Sequence, residues 1–167
     1  MAKDTKFLIG AFLVSILVIV GVAYLLSNKS KSEAEIPTTE VAGLTATPES
    51  YDLGEVAING GIVSKDYEVK NTTSATLSLK KIATSCMCTT AKVRLGDKET
   101  RAFGMEMVGD KNPPLDLNIP AGETAKVTVD FDPAAHGPEG VGAFDRIVWL
   151  YFAQGVKELK FNGTVVN

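Results

Sequence analysis

Hydrophobic residues near the N-terminus form one long uninterrupted run. Phe7 to Leu26 gives twenty consecutive residues without a charged side chain. As a helix this run would extend about 30 Å at 1.5 Å per residue, which matches the hydrocarbon thickness of a bilayer. The pattern predicts one transmembrane helix that contacts lipid through residues 7–26, and we assign residues 1–27 to this anchor.

A cleaved secretory signal is the alternative interpretation of the same run. Gly21 and Ala23 have the small-x-small spacing of a cleavage site. The apolar run continues past that site through residues 24–26, which favours a retained anchor. Two lysines precede the run and two follow it, so charge alone does not orient the helix. A short N-terminal tail inside and the body outside is the commoner arrangement, and it predicts a single-pass cell-membrane protein with an extracytoplasmic (periplasmic or extracellular) body.

The segment after the anchor has the composition of a linker. Residues 28–45 are rich in Ser, Thr, Lys and Glu and have little apolar periodicity. We expect a flexible tether between the membrane anchor and a folded domain of residues 46–167.

Beyond the linker, apolar and polar residues alternate with a period of two, with turn residues between the runs. Seven or eight short strands at this spacing predict an all-β, two-sheet antiparallel sandwich. The candidate strands are Tyr51 to Val56, Ile62 to Val69, Thr76 to Ile82, Thr89 to Leu95, Leu115 to Ile119, Ala125 to Phe131, Ile147 to Phe152 and Val156 to Val165, the last with a break.

Two of these strands differ in their faces. Val127, Val129 and Phe131 alternate with polar residues and predict a core-facing set. Residues 147–153 are apolar on both faces, although a strand in a sandwich normally has one face exposed to solvent. Either the long segment 96–114 covers the second face, or Trp149 and Tyr151 form a surface for an unidentified protein partner.

Composition and charge exclude several function classes. The 138 residues from 30 to 167 carry 14 basic and 19 acidic side chains, a balance that argues against a nucleic-acid partner. The sequence has no phosphate-binding glycine loop, no G-x-S-x-G elbow and no H-E-x-x-H motif. We therefore expect no catalytic activity and no catalytic residues.

Both cysteines of the chain lie in one short segment, as Cys86 and Cys88. In an extended strand they would share a face with Cα atoms roughly 6.6 Å apart, at the far edge of disulfide geometry. A bridge between them would need a bend. Three interpretations stay open: packed thiols, a soft-metal site for Cu(I) or a similar ion, and thiol–disulfide redox chemistry.

Further sulfur and nitrogen donors occur in the two long segments between strands. Met105 and Met107 lie in residues 96–114, and His136, the single histidine, lies in residues 132–142. A thioether or imidazole from these residues would complete a metal site with the two thiolates. In an extended strand Met87 would point away from its cysteine neighbours, so we expect it to contribute least.

The motifs along residues 46–166 resemble a bacterial family, the domain-of-unknown-function family 1573. Its S-C-G-C-T signature is similar to residues 85–89, its aromatic-D-F-G element to residues 51–56, and its F-x-x-x-N-T strand to residues 67–72. Residues 119–133 are similar to its P-x-G-E and F-D-P portion, and residues 161–165 to its closing strand. Met87 replaces the usual Gly, and the segment 96–114 is longer than in the family pattern.

The resemblance implies an exported Ig-like sandwich, allied to ASH and PapD-like domains, with no established activity. We expect no cofactor, with Cu(I) as the alternative. The sequence as a whole therefore predicts a membrane-tethered Ig-like binding or structural module. A Cu(I) or other soft-metal binding protein is the alternative, and a thiol–disulfide redox protein is the third.

Overall fold

The computed structural model describes residues 15–19, 21–22 and 39–167. The chain divides into two compact units, residues 1–35 and 36–167. Residues 15–19 and 21–22 are helical, with exposed side chains. No helix within the described residues has both the length and the apolarity that crossing a membrane needs. Most of the predicted anchor, and the predicted linker up to residue 38, lie outside the described residues.

The larger unit is an all-β sandwich of two five-stranded sheets. The first sheet has the order β1-β3-β8-β5-β6 and is antiparallel throughout, and the second has the order β2-β10-β9-β4-β7 with one parallel pair, β2 and β10. The strands are β1 Leu44–Thr47, β2 Ser50–Ala57, β3 Val63–Asn71, β4 Leu77–Thr84, β5 Thr89–Leu95, β6 Lys98–Glu99, β7 Leu117–Ile119, β8 Thr124–Phe131, β9 Gly142–Phe152 and β10 Gly155–Val166.

The all-β sandwich prediction is confirmed, with differences in strand number and bounds. The described residues contain ten strands rather than seven or eight, because β1 and β6 are added. β1 begins at Leu44, inside the segment assigned to the linker, and pairs with β3. β9 begins at Gly142, five residues before the predicted start, so the loop before it is shorter than the sequence indicates.

The core lies between the sheets and follows the predicted alternation. Val127, Val129 and Phe131 of β8 are buried, whereas the residues between them are partly exposed. Phe131 stacks on Phe144 with ring centroids 4.5 Å apart and meets Phe161 edge-on at 5.7 Å. This aromatic group fills the end of the core at which β8 leads into the loop before β9.

β10 runs without interruption, so the break expected within it is wrong, but its pairing is irregular at one point. The register between β10 and β2 shifts between Asn162 and Thr164. A Cβ on the intervening Gly163 would lie 2.9 Å from both the Gly54 carbonyl oxygen and the Phe144 ring. The glycine therefore allows β2 and the aromatic core to approach β10 closely.

The long segment 96–114 closes one side of the sandwich. Phe103 is buried and pairs with Ala91 of β5 through two backbone hydrogen bonds of 2.8 Å. The segment then reaches the second sheet, where Asn112 donates to the Ile82 carbonyl at 3.1 Å and Leu115 to the Lys80 carbonyl at 3.0 Å. It thus bridges β5 and β4, the strands on either side of the cysteines.

Candidate functional site

Ser85–Cys88, here called the cysteine bend, carries the chain from β4 in the second sheet to β5 in the first. The Thr89 amide donates to the Cys86 carbonyl at 3.1 Å and closes the turn. The Cα atoms of the two cysteines are consequently 5.2 Å apart, closer than in an extended strand. The segment is a turn between sheets rather than part of a strand.

The bend forms without glycine at its centre. Met87 occupies the position where the family signature has Gly, and its side chain is exposed. Within the described residues, every residue with a positive φ is a glycine, so Met87 keeps an ordinary backbone conformation. The replacement of Gly by Met is therefore compatible with this turn.

Polar contacts fix the bend to its neighbours. Ser85 exchanges two hydrogen bonds of 2.9 Å with Ile147 of β9, one through its amide and one through its hydroxyl. The buried Thr84 hydroxyl lies 2.9 Å from the Cys86 carbonyl oxygen and 3.0 Å from that of Thr89. Such buried contacts hold the backbone on both sides of the cysteines in one arrangement.

The two cysteines are bonded to each other and largely shielded from solvent. Their Sγ atoms are 2.16 Å apart, and the residues are 7% and 3% exposed for Cys86 and Cys88. The Cys88 amide also points at the Cys86 sulfur, at 3.2 Å. Cys86 is the more exposed residue of the two.

His136 comes to Cys86 from the loop after β8. Because Phe131 pairs with Thr89 across the first sheet, the residues that follow Phe131 emerge beside the bend. The Asp132 amide donates to the Cys88 carbonyl at 2.8 Å, and the loop then turns back through Ala134. The His136 Nε2 atom lies 3.2 Å from the Cys86 Sγ, with its side chain at the surface.

Arg146 contacts the second sulfur and was not anticipated from the sequence. Its Nε–H donates to the Cys88 Sγ at 3.3 Å, and its Nη1 donates to the Asp145 carbonyl at 2.8 Å. The guanidinium lies 5.6 Å from the Phe144 ring centroid, in cation–π range. No periodicity or motif marks this residue, because its contact depends on β9 meeting a bend 58 residues earlier in the chain.

Three groups that can bind a metal ion therefore meet at the bend. The Cys86 and Cys88 sulfurs and a His136 ring nitrogen all lie within 4.8 Å of one another. Among the described His, Cys, Asp and Glu residues, these are the three whose possible ligand atoms come together, and in this structure the two sulfurs are bonded to each other. Two sulfurs and one imidazole nitrogen form a donor set suited to soft ions.

The methionines are placed differently from the cysteines and histidine. Met105 and Met107 lie on the segment that bridges β5 and β4, and both side chains are about half exposed. Within that segment, the backbones of Met107 and Asp110 exchange two hydrogen bonds. A contribution of these thioethers to a metal site stays a prediction.

Trp149 and Tyr151 lie on the outer face of β9 and are half-buried. The Trp149 indole N–H donates to Glu158 at 3.2 Å, and the Lys81 ammonium lies 5.6 Å from the Tyr151 ring centroid. Lys81 also pairs with Glu106, at 2.6 Å, so the segment 96–114 reaches this face through a charged side chain. Its use as a partner surface stays a prediction.

Comparison with known proteins bears on the fold and the family. Residues 44–106 match the sequence model of the family described as "Protein of unknown function (DUF1573)". This match supports the resemblance to that family over residues 44–106. The similarity of the cysteine bend to the family's S-C-G-C-T signature stays a prediction. No curated protein matches the chain significantly.

Solved structures that align with most of this chain share little sequence with it. A protein of unknown function from Porphyromonas gingivalis W83 is similar with a TM-score of 0.53 at 14% identity, over 80% of this chain and 50% of that one. This chain therefore spans half the length of that protein. The ASH/PapD-like domain 7 of human CEP192 has a TM-score of 0.44 at 14% identity, over 82% of this chain and 96% of that domain.

Proposed function

We propose that this chain is a membrane-tethered, extracytoplasmic Ig-like module that binds one soft metal ion, such as Cu(I), through Cys86, Cys88 and His136. The observation that carries the proposal is the meeting of the two sulfurs and the imidazole nitrogen within 4.8 Å at one end of the sandwich. The module performs no catalysis in this account. Its function is to bind the ion and hold it.

Binding requires reduction of the Cys86–Cys88 bond. A dithiol reductant supplies two electrons and two protons to form the two thiols and is itself oxidised to a disulfide. Each thiol then releases its proton as its thiolate binds the metal. A monovalent soft ion accepts the two thiolates and a neutral imidazole as a three-coordinate set.

The surroundings of the donors support retention of an ion. Both cysteines are buried, which limits the access of water and competing ligands, whereas His136 is exposed and marks the side from which an ion would enter. The bend that carries the cysteines is held by Thr84, Ser85 and the Asp132 amide. A rigid support of this kind positions the donor atoms before the ion arrives, so that binding needs little further ordering of their side chains.

A competition titration tests the metal proposal. The full-length chain in detergent, reduced with a phosphine, is titrated with Cu(I) against a chromogenic chelator. We expect one Cu(I) per chain, most of the affinity lost in Cys86→Ser and in Cys88→Ser, and a smaller loss in His136→Ala. Lys126→Gln, on the outer face of β8, is the matched control and should bind as wild type does. Equal, poor competition by the wild type and the double serine variant would show that the proposal is wrong.

The tether is supported by the uncharged run Phe7 to Leu26. In a bacterial host, the full-length chain should fractionate with membranes, and protease added to spheroplasts should digest residues 46–167. A soluble product that begins at Tyr24 would instead indicate a cleaved signal.

The disulfide supports a second candidate function, thiol–disulfide exchange with a partner protein. In this reaction a partner thiolate attacks one sulfur, the Cys86–Cys88 bond breaks, and a mixed disulfide forms with the other cysteine released as a thiolate. The more exposed Cys86 is the expected point of attack. Cys88→Ser should then accumulate mixed disulfides in cells, whereas Cys86→Ser should not, and equal low yields from both variants would exclude exchange.

A further inference from the structure

We propose that Arg146 makes the site selective for a monovalent soft cation, Cu(I), over a divalent ion such as Zn(II). The inference rests on the soft-metal binding proposed above and adds a specificity-determining residue to it. Arg146 does not bind the ion itself. It acts through the Cys88 sulfur and through its own positive charge.

The position of the guanidinium is fixed by three contacts on different sides. Nε–H points at the Cys88 sulfur, Nη1–H is bonded to the Asp145 carbonyl, and the group lies near the face of Phe144. Phe144 is itself buried against Phe131. The charge is therefore held beside a buried sulfur by the core of the sandwich.

Among the described residues, Arg146 forms no salt bridge with a carboxylate. The proposed metal ligands are two cysteines and one histidine. The described contacts of Arg146 are with a sulfur, a carbonyl oxygen and an aromatic ring. An arginine side chain stays protonated at all physiological pH values. The site thus has one fixed positive charge that any bound cation must share.

Charge balance then separates the two kinds of ion. Two thiolates, a neutral imidazole and Cu(I) form a complex with one net negative charge, which the guanidinium neutralises. The same ligands with Zn(II) form a neutral complex, so the guanidinium remains as an uncompensated charge close to a divalent ion. Because Cys88 is buried and Arg146 is half-buried, water screens this repulsion only in part.

The number of donors favours the same ion. The described cluster supplies three donors, which suits three-coordinate Cu(I). Structural zinc sites are almost always closed by four protein ligands. The Arg146 N–H that points at the Cys88 sulfur of the disulfide would also donate to the Cys88 thiolate after reduction, and so places the charge beside a metal ligand.

The test compares neutral and charged replacements in the reduced, full-length chain. Arg146→Gln and Arg146→Met remove the charge, and Met keeps the aliphatic stem against Phe144. Arg146→Lys retains the charge, and Lys126→Gln removes a positive charge far from the bend. Cu(I) and Zn(II) affinities are measured for each protein by competition with a chelator for each ion.

We expect both neutral variants to lower the ratio of Cu(I) to Zn(II) affinity by about tenfold or more. Arg146→Lys should keep most of the wild-type ratio, and Lys126→Gln should keep all of it. If one neutral variant fails to fold, the other decides the result. A ratio unchanged in the neutral variants, with wild-type Cu(I) binding intact, would overturn the role of Arg146 alone. A wild-type chain that binds no Cu(I) would contradict the proposed function as well.

Discussion

Strand β8 and the cysteine bend are held in place by different forces. In β8, alternate side chains enter the core, and Phe131 is fixed by the surfaces of Phe144 and Phe161. In the bend, individual atoms are fixed by hydrogen bonds, such as those of Thr84 to two carbonyl oxygens. Substitutions in β8 should therefore act through lost volume, and substitutions in the bend through lost polar atoms.

The largest loss of stability should come from a substitution on the core face of β8. Phe131→Ala removes a buried ring that contacts two other rings, and we expect it to lower the free energy of unfolding by about 3 to 5 kcal/mol. Urea denaturation of the full-length chain, followed by tryptophan fluorescence, measures the change.

Lys126→Ala is the matched control on the outer face of the same strand. Lys126 forms an exposed ion pair with Asp66, at 2.6 Å, and such pairs contribute at most about 1 kcal/mol. Equal, small effects from Phe131→Ala and Lys126→Ala would mean that β8 is one residue out of phase or is not a core strand.

A smaller loss of stability is expected from a substitution in the strand end beside the bend that removes a hydroxyl and keeps the side-chain volume. Thr84→Val removes the single hydroxyl proton that the Cys86 and Thr89 carbonyl oxygens share, while the Cys86 carbonyl keeps the Thr89 amide as a donor. The substitution should therefore cost about 1 to 3 kcal/mol of unfolding free energy. Thr84→Ser keeps the hydroxyl and should cost less than Thr84→Val in the same denaturation experiment. If valine is tolerated as well as serine, packing rather than hydrogen bonding holds the bend.

The smallest effect should follow a change at the exposed tip of the bend. Met87→Gly introduces the residue found in the signature that this segment resembles, at a position whose φ is negative. We expect a loss of less than about 1 kcal/mol, from the greater freedom of glycine in the unfolded chain. Thermal melting should place the variant near the wild type, and a clear gain in stability would show that the bend is strained by methionine.

The same contrast explains what the sequence could predict. The alternation in residues 125–131 defines both a strand and its buried face, because a period of two is a local property. β1 and β6 were missed for a local reason as well, since β1 has four residues in a stretch of linker composition and β6 has two. The start of β9 at Gly142 was obscured by the glycines that precede it.

The site was predictable only in part, because it is assembled by contacts between distant segments. The C-x-C spacing identified Cys86 and Cys88, and residue type alone made His136 a candidate ligand. His136 lies near Cys86 because Phe131 pairs with Thr89. Arg146 lies near Cys88 because the next residue, Ile147, is hydrogen-bonded to Ser85. These pairings depend on the arrangement of the two sheets, which no short pattern records.

X-ray absorption at the copper edge tests the central claim most directly. The reduced, full-length chain loaded with one Cu(I) should show two sulfur neighbours and one nitrogen neighbour, from Cys86, Cys88 and His136. In the His136→Ala variant the nitrogen neighbour should disappear while the sulfur neighbours remain. A spectrum without sulfur neighbours, or one that is the same in the Cys86→Ser/Cys88→Ser variant, would contradict the account.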